Sequence, residues 1–135
     1  MMRFALALVP LVLVCAVTGN QPCRAQTNTI SPIALVGKWS GSEKMPDGNT
    51  VVVQLMLTQS QKFTGSSAVN GRIFWTYSGT WEVSGNQLTW HYEISSPALP
   101  EAGKTDIDDI VALDAEKLVL LSKLTGKQNT FLRVR

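Results

Sequence analysis

Five aromatic side chains are spaced so that they could line a pocket. Trp75, Tyr77 and Trp81 recur at even intervals in one stretch, and Trp90 and Tyr92 do so in the next. On extended backbone, residues two apart point to the same side, so each set makes a row. Two rows turned inward would form a slot for a flat or chain-like apolar molecule, with the Tyr77 and Tyr92 hydroxyls orienting its polar ends. The same rings would also suffice to fill a small core, and on the outside they would make a patch that docks a partner. A ligand slot implies an enclosed space on the order of a few hundred Å³ beside Trp75, Trp90 and Tyr92.

The other reactive side chains make no catalytic constellation. His91 is the single histidine. It falls on the polar side of its stretch, where solvation is the plain expectation, and neither nucleophile nor partner accompanies it. Asp106, Asp108 and Asp109 cluster after a proline-rich segment. Paired carboxylates can bind calcium or work on sugars, but the run has neither the Asn/Asp/Gly periodicity nor the terminal Glu of a calcium loop. Asp109 shares parity with Ile107 and Val111, which points it inward, with Lys123 or Arg135 as a partner; Asp106 and Asp108 then face water. No cofactor, no metal and no enzymatic activity is implied. Basic residues are scattered, without the stripe or interleaved aromatics of a nucleic-acid surface, and no phosphate-cradling loop occurs.

The N-terminus carries an address. Arg3 precedes an apolar run from Phe4 to Val17, followed by a polar stretch with Pro22. This is the order of a secretory signal, and the run is shorter than the ~20 residues that span a bilayer. Cleavage after Ala25 makes residues 1–25 a leader and places the protein in the periplasm or outside the cell, with no transmembrane segment in the mature chain. An uncleaved anchor and a lipid attached at Cys15 or Cys23 are the alternatives, although neither cysteine follows the small residues of a lipid-attachment box. Both cysteines leave with the leader, so the mature chain has no disulfide and depends on its core. Loss of Arg3 and Arg24 leaves ten basic residues against ten acidic, a neutral domain. The remaining ~110 residues make one domain, a short polar tail at 26–31 and a folded body at 32–135.

That body reads as strands cut by turns. Pro32 to Val36 suits one helical turn. Asp47-Gly48 and Asn70-Gly71 are hairpin signals, the second the strongest in the chain. Val51, Val53, Leu55 and Leu57 alternate with Val52, Gln54 and Met56. Ile73, Trp75, Tyr77, Trp81 and Val83 share one parity, with Gly79 suited to a bend or bulge. Leu88, Trp90, Tyr92 and Ile94 share another. Residues 96–104 form the longest loop, and strands resume at Asp106, Leu118 and Asn129. About seven to nine strands joined by sequential hairpins, with no helices to cover them, must close or sandwich. Closure removes the exposed edges, so the expected fold is all-β, a single up-and-down antiparallel β-barrel with a short N-terminal helical turn.

Two ends of this body resemble a known family. Gly37-Lys38-Trp39 after a short apolar turn is similar to the Gly-x-Trp of lipocalins and other calycins. Arg133 on the last strand resembles the arginine that packs over that tryptophan. Asp47-Gly48, Phe63-Thr64-Gly65 and Gly79-Thr80-Trp81 resemble the pattern of the compact bacterial lipocalin-like domains. The likeness implies a barrel closed at one end by Gly37, Trp39 and Arg133, and a space at the other for a small apolar or amphipathic ligand. The chain is shorter than typical lipocalins and lacks their disulfides, so the space would be small or filled. Streptavidin-like barrels share the opening Gly-x-Trp and a Thr-Gly before the last strand, here Thr125-Gly126, but the polar residues that hold biotin cannot be placed. Two functions follow as expectations: carriage of a small hydrophobic ligand within the barrel, or interaction with a protein partner through its surface loops.

Overall fold

Turn chemistry divides the chain into strands. A computed structural model of the protein describes residues 29–135, so the leader expected at 1–25 and the start of the tail lie outside the described residues. A single helical turn, α1 (Pro32–Leu35), is followed by β1 (Gly37–Lys44), β2 (Thr50–Leu57), β3 (Lys62–Val69) and β4 (Arg72–Ser84). Then come β5 (Gln87–Ser96), β6 (Thr105–Leu113), β7 (Lys117–Ser122) and β8 (Gln128–Val134). Asn70 and Gly71 form the two-residue turn between β3 and β4, with φ of 48° and 81°. Two successive positive φ values define the hairpin turn whose twist matches that of strands, which is why Asn-Gly is selected there.

Each strand pairs antiparallel with the next, and β8 returns to β1, so the sheet is a closed eight-stranded barrel among the described residues. The closing register sets Lys38 opposite Val134, Trp39 opposite Arg133 and Ser40 opposite Leu132. Up-and-down connectivity places the β1–β2, β3–β4, β5–β6 and β7–β8 loops at one end, here the open end. The opposite end is closed by α1 and the other three turns.

The core at the closed end is tightly packed. Leu35, Trp39, Leu57, Phe63, Trp81, Leu88 and Leu118 are fully buried. Trp39 donates its indole N–H to the Leu35 carbonyl at 2.8 Å, which ties α1 across the barrel. The Arg133 guanidinium lies 4.1 Å from the centroid of the Trp39 ring. It also donates to three carbonyls, Ala34 at 2.9 Å, Val36 at 2.7 Å and Ala115 at 2.7 Å. A planar fork with several fixed donors suits this task, and a lysine could not reproduce it. A Cβ on Gly37 would press against the same guanidinium, so the glycine, the tryptophan and the arginine form one unit.

Three bulges interrupt the alternation. Phe74 is the extra residue opposite β3, Glu93 the extra residue opposite β4, and Val111 the extra residue opposite β7. Each reverses the in/out order on one side of itself. Ile73 therefore stands exposed at the open end instead of joining Trp75 inside, and Ile94 turns outward while Ser95 turns in. The Val111 bulge places Ile110 and Leu113 both toward the core, which reverses the order through the preceding residues. Asp106 and Asp108 consequently face inward, opposite Trp90 and Leu88, and Asp109 faces out. The expectation of an inward Asp109 is corrected, although Lys123 is its partner, at 3.4 Å on the outer wall.

Candidate functional site

The open half of the barrel holds an aromatic cluster. Tyr77 on β4 lies over Gly65 on β3, where any Cβ would strike its ring. Trp75 packs on Tyr77 with centroids 4.3 Å apart and stacks on Tyr92 at 6.1 Å. Phe63 meets Trp90 edge-on at 5.0 Å and Tyr92 at 5.4 Å. Offset and edge contacts of this kind hold rings in fixed orientation. The Glu93 bulge contributes directly, because the Ser95 hydroxyl it turns inward accepts the Trp75 indole N–H at 2.7 Å.

Beside these rings lies a cavity of about 90 Å³, lined by Tyr77, Trp90, Tyr92, Asp108, Asn129 and apolar residues of β2, β7 and β8. That is roughly the liquid volume of three waters, well short of the few hundred Å³ expected of a lipid-sized slot. The rings mostly fill the barrel and leave a small, partly polar chamber. Of the five aromatic residues singled out by spacing, Tyr77, Trp90 and Tyr92 border it, and Trp75 backs Tyr92. Trp81 does not border it. Its indole donates to the Lys62 carbonyl at 3.2 Å, and it is packed into the core with 1% of its surface exposed.

Asp108 is the polar centre. Its Oδ2 accepts the Trp90 indole N–H at 2.8 Å. Burial pushes its carboxyl above the usual aspartate range, opposed by the Trp90 hydrogen bond and reinforced by the negative charges of Asp106 and Asp109. Burial also raises the Tyr92 phenol far above its ordinary value, with Tyr77, Asp106 and Asp108 adding to the effect. The Tyr77 phenol is raised by burial and drawn back by a hydrogen bond with Ser67. Both tyrosines therefore remain neutral donors at physiological pH.

A second space adjoins the chamber. β1 and β8 share only three register pairs, all toward the closed end. Beyond them the strands frame a groove of about 280 Å³ whose lining includes Gly41, Ser42, Val51, Gln128 and Thr130. Val53, Asn129 and Phe131 border both the groove and the chamber. An ion pair between Lys127 and Glu43 spans it near the open end. This seam was not legible in the sequence, because nothing in strand periodicity marks where the regular pairing of two strands ends.

His91 lies on the outer face, half-exposed, 3.4 Å from Glu82 and 3.5 Å from the Thr105 hydroxyl. Among the described residues no three His, Cys, Asp or Glu side chains converge as metal ligands. No protein-family model matches the chain, and no curated protein matches it.

Proposed function

We propose that this is an exported, lipocalin-like binding protein, acting in the periplasm or outside the cell, which holds part of a small ligand in the open half of its barrel rather than catalysing a reaction. The observation that carries this reading is the chamber of about 90 Å³ bordered by Trp90, Tyr92, Tyr77, Asp108 and Asn129. Well-ordered rings with a few convergent polar groups are the usual make-up of a small-molecule site. Its size suits a head group or a slender segment. The adjoining β1–β8 groove gives the remainder of the molecule a place to lie. Native mass spectrometry of the protein isolated gently from its own host tests the reading. A small-molecule adduct released on denaturation, and lost when Trp90 is replaced by alanine, is the expected result. A bare mass with a co-isolated protein would overturn it in favour of the second reading.

That second reading is partner docking through the open end. Met45, Ile73, Phe74, Ile94 and Leu124 are exposed apolar residues, and the topology gathers all five there. Leu124 is 80% exposed and Ile94 70%, degrees of exposure that a covering partner would remove.

A further inference from the structure

The chamber has a one-sided charge balance. Asp108 borders it from β6, Asp106 stands two residues away on the same face of that strand, and among the described residues no Lys, Arg or His forms an ion pair with either. Their hydrogen-bond partners are neutral: the Trp90 indole donates to Asp108, and the Ile107 amide donates to Asp106 at 2.8 Å. No cationic side chain borders the cavity. The nearby Lys123 is engaged by Asp109 on the outer wall.

A carboxylate drawn partly out of water without a counter-charge is costly, and the cost falls when a cation arrives. The walls around Asp108 are aromatic, and aromatic faces attract cations through their quadrupole. An anionic head group, whether carboxylate or phosphate, would meet the Asp108 carboxylate, with Asp106 close behind it on β6, and no cationic partner. A divalent metal would need several oxygen donors in place of its hydration shell, whereas the lining offers mostly aromatic and aliphatic side chains. An organic ammonium meets neither obstacle, because it needs one carboxylate, few acceptors and apolar walls for its methyl or methylene groups.

We propose that the ligand of the chamber is a small organic cation, a primary amine or methylated ammonium, whose nitrogen sits against Asp108 with Trp90, Tyr92 and Tyr77 around it and Asn129 as a further acceptor. This rests on the reading of the barrel as a ligand carrier and names the chemistry of what it carries. The rest of the molecule leaves along the β1–β8 groove, which shares Val53, Asn129 and Phe131 with the chamber.

The test uses n-butylammonium, n-butanol and n-butyrate as probes of matched length and different charge, at constant ionic strength. The readouts are the indole N–H resonances of the protein by NMR and calorimetric titration. The four tryptophans have four different partners, so Trp90, bonded to Asp108, is a local reporter. Butylammonium should shift Trp90 saturably, with butanol weaker and butyrate inert. Asp108→Asn keeps an oxygen to accept the Trp90 N–H, and it should weaken butylammonium about tenfold or more, equivalent to about 1.4 kcal/mol. Unchanged positions of the other three indoles would show that the variant is folded. Asp106→Asn should weaken it less. Equal binding of butanol or butyrate at Trp90, or an unaffected Asp108→Asn variant, would overturn the cation proposal while leaving the ligand site standing. A Trp90 signal that no probe moves would overturn both.

Discussion

Replacing Arg133 with alanine is expected to destabilise the protein by about 3 kcal/mol, a loss far beyond that of a surface arginine. The side chain supports three carbonyls from two separate segments, Ala34 and Val36 beside α1 and Ala115 in the β6–β7 turn. It also covers the face of Trp39. Hydrogen bonds from a charged group contribute about 1.5–3 kcal/mol each in favourable settings, and the partial exposure here brings the three together well below that sum, to about 2–2.5 kcal/mol. The cation–π contact adds about 0.5–1 kcal/mol. Arg133→Lys should recover little, because one ammonium cannot reach three divergent carbonyls. Urea unfolding measures both variants. A loss under ~0.5 kcal/mol for Arg133→Ala would mean that the closed end does not depend on this residue.

The second large effect is at Gly79. A Cβ there would collide with the carbonyl oxygen of His91 and crowd the backbone at Glu93, the extra residue of the β4–β5 bulge. Backbone cannot rotate aside as a side chain can, so the two strands must separate. Gly79→Ala is expected to cost about 3 kcal/mol or more and to displace Tyr92, whose position follows from the bulge. Gly48→Ala provides the contrast. Its Cβ would meet nothing within 4 Å, and only its φ of +86° resists substitution, at about 1 kcal/mol. Thermal melts with near-ultraviolet circular dichroism would separate the two. Equal losses at both positions would show that β4 and β5 do not approach closely at Gly79.

These two positions show how much the sequence discloses. Closure was legible because seven to nine hairpin-linked strands have no helices to cover them, the roles of Gly37, Trp39 and Arg133 came from the resemblance to lipocalins, and periodicity gave the faces of β2, which alternates without interruption. Asp47-Gly48 and Asn70-Gly71 gave the turns because few residues accept positive φ. Gly79 pointed to a bulge, but not to which strand carries the extra residue. A single extra residue inverts everything beyond it, and so unbroken periodicity puts Ile73, Ile94 and the Asp106–Asp109 run on the wrong faces. Of these, Asp108 matters most, because its inward position depends on a bulge at Val111 that no residue type announces. Chamber volume was illegible for a different reason. It depends on how Trp75, Tyr77, Trp90 and Tyr92 tilt against Phe63, and small rotations decide whether the rings fill the barrel or clear it.

Asp108 also leaves a pH signature. Its folded-state pKa is raised, so the folded protein holds that proton more tightly than the unfolded chain does. The contribution to stability is full below the ordinary aspartate value of 3.8 and is lost as pH rises through the folded value. Asp106 on the same strand, Tyr77 and Tyr92 across the chamber, and the Asp109–Lys123 pair outside are the groups around it.

The most direct measurement is therefore an acid titration of the four tryptophan indole N–H resonances in the ligand-free protein. The resonance of Trp90 should follow a carboxyl group with a midpoint above the ordinary aspartate value, and Asp108→Asn should abolish that step while the other three indoles stay in place. A Trp90 signal indifferent to pH, or one that titrates unchanged in Asp108→Asn, would place that carboxylate elsewhere and remove the charged centre from the barrel.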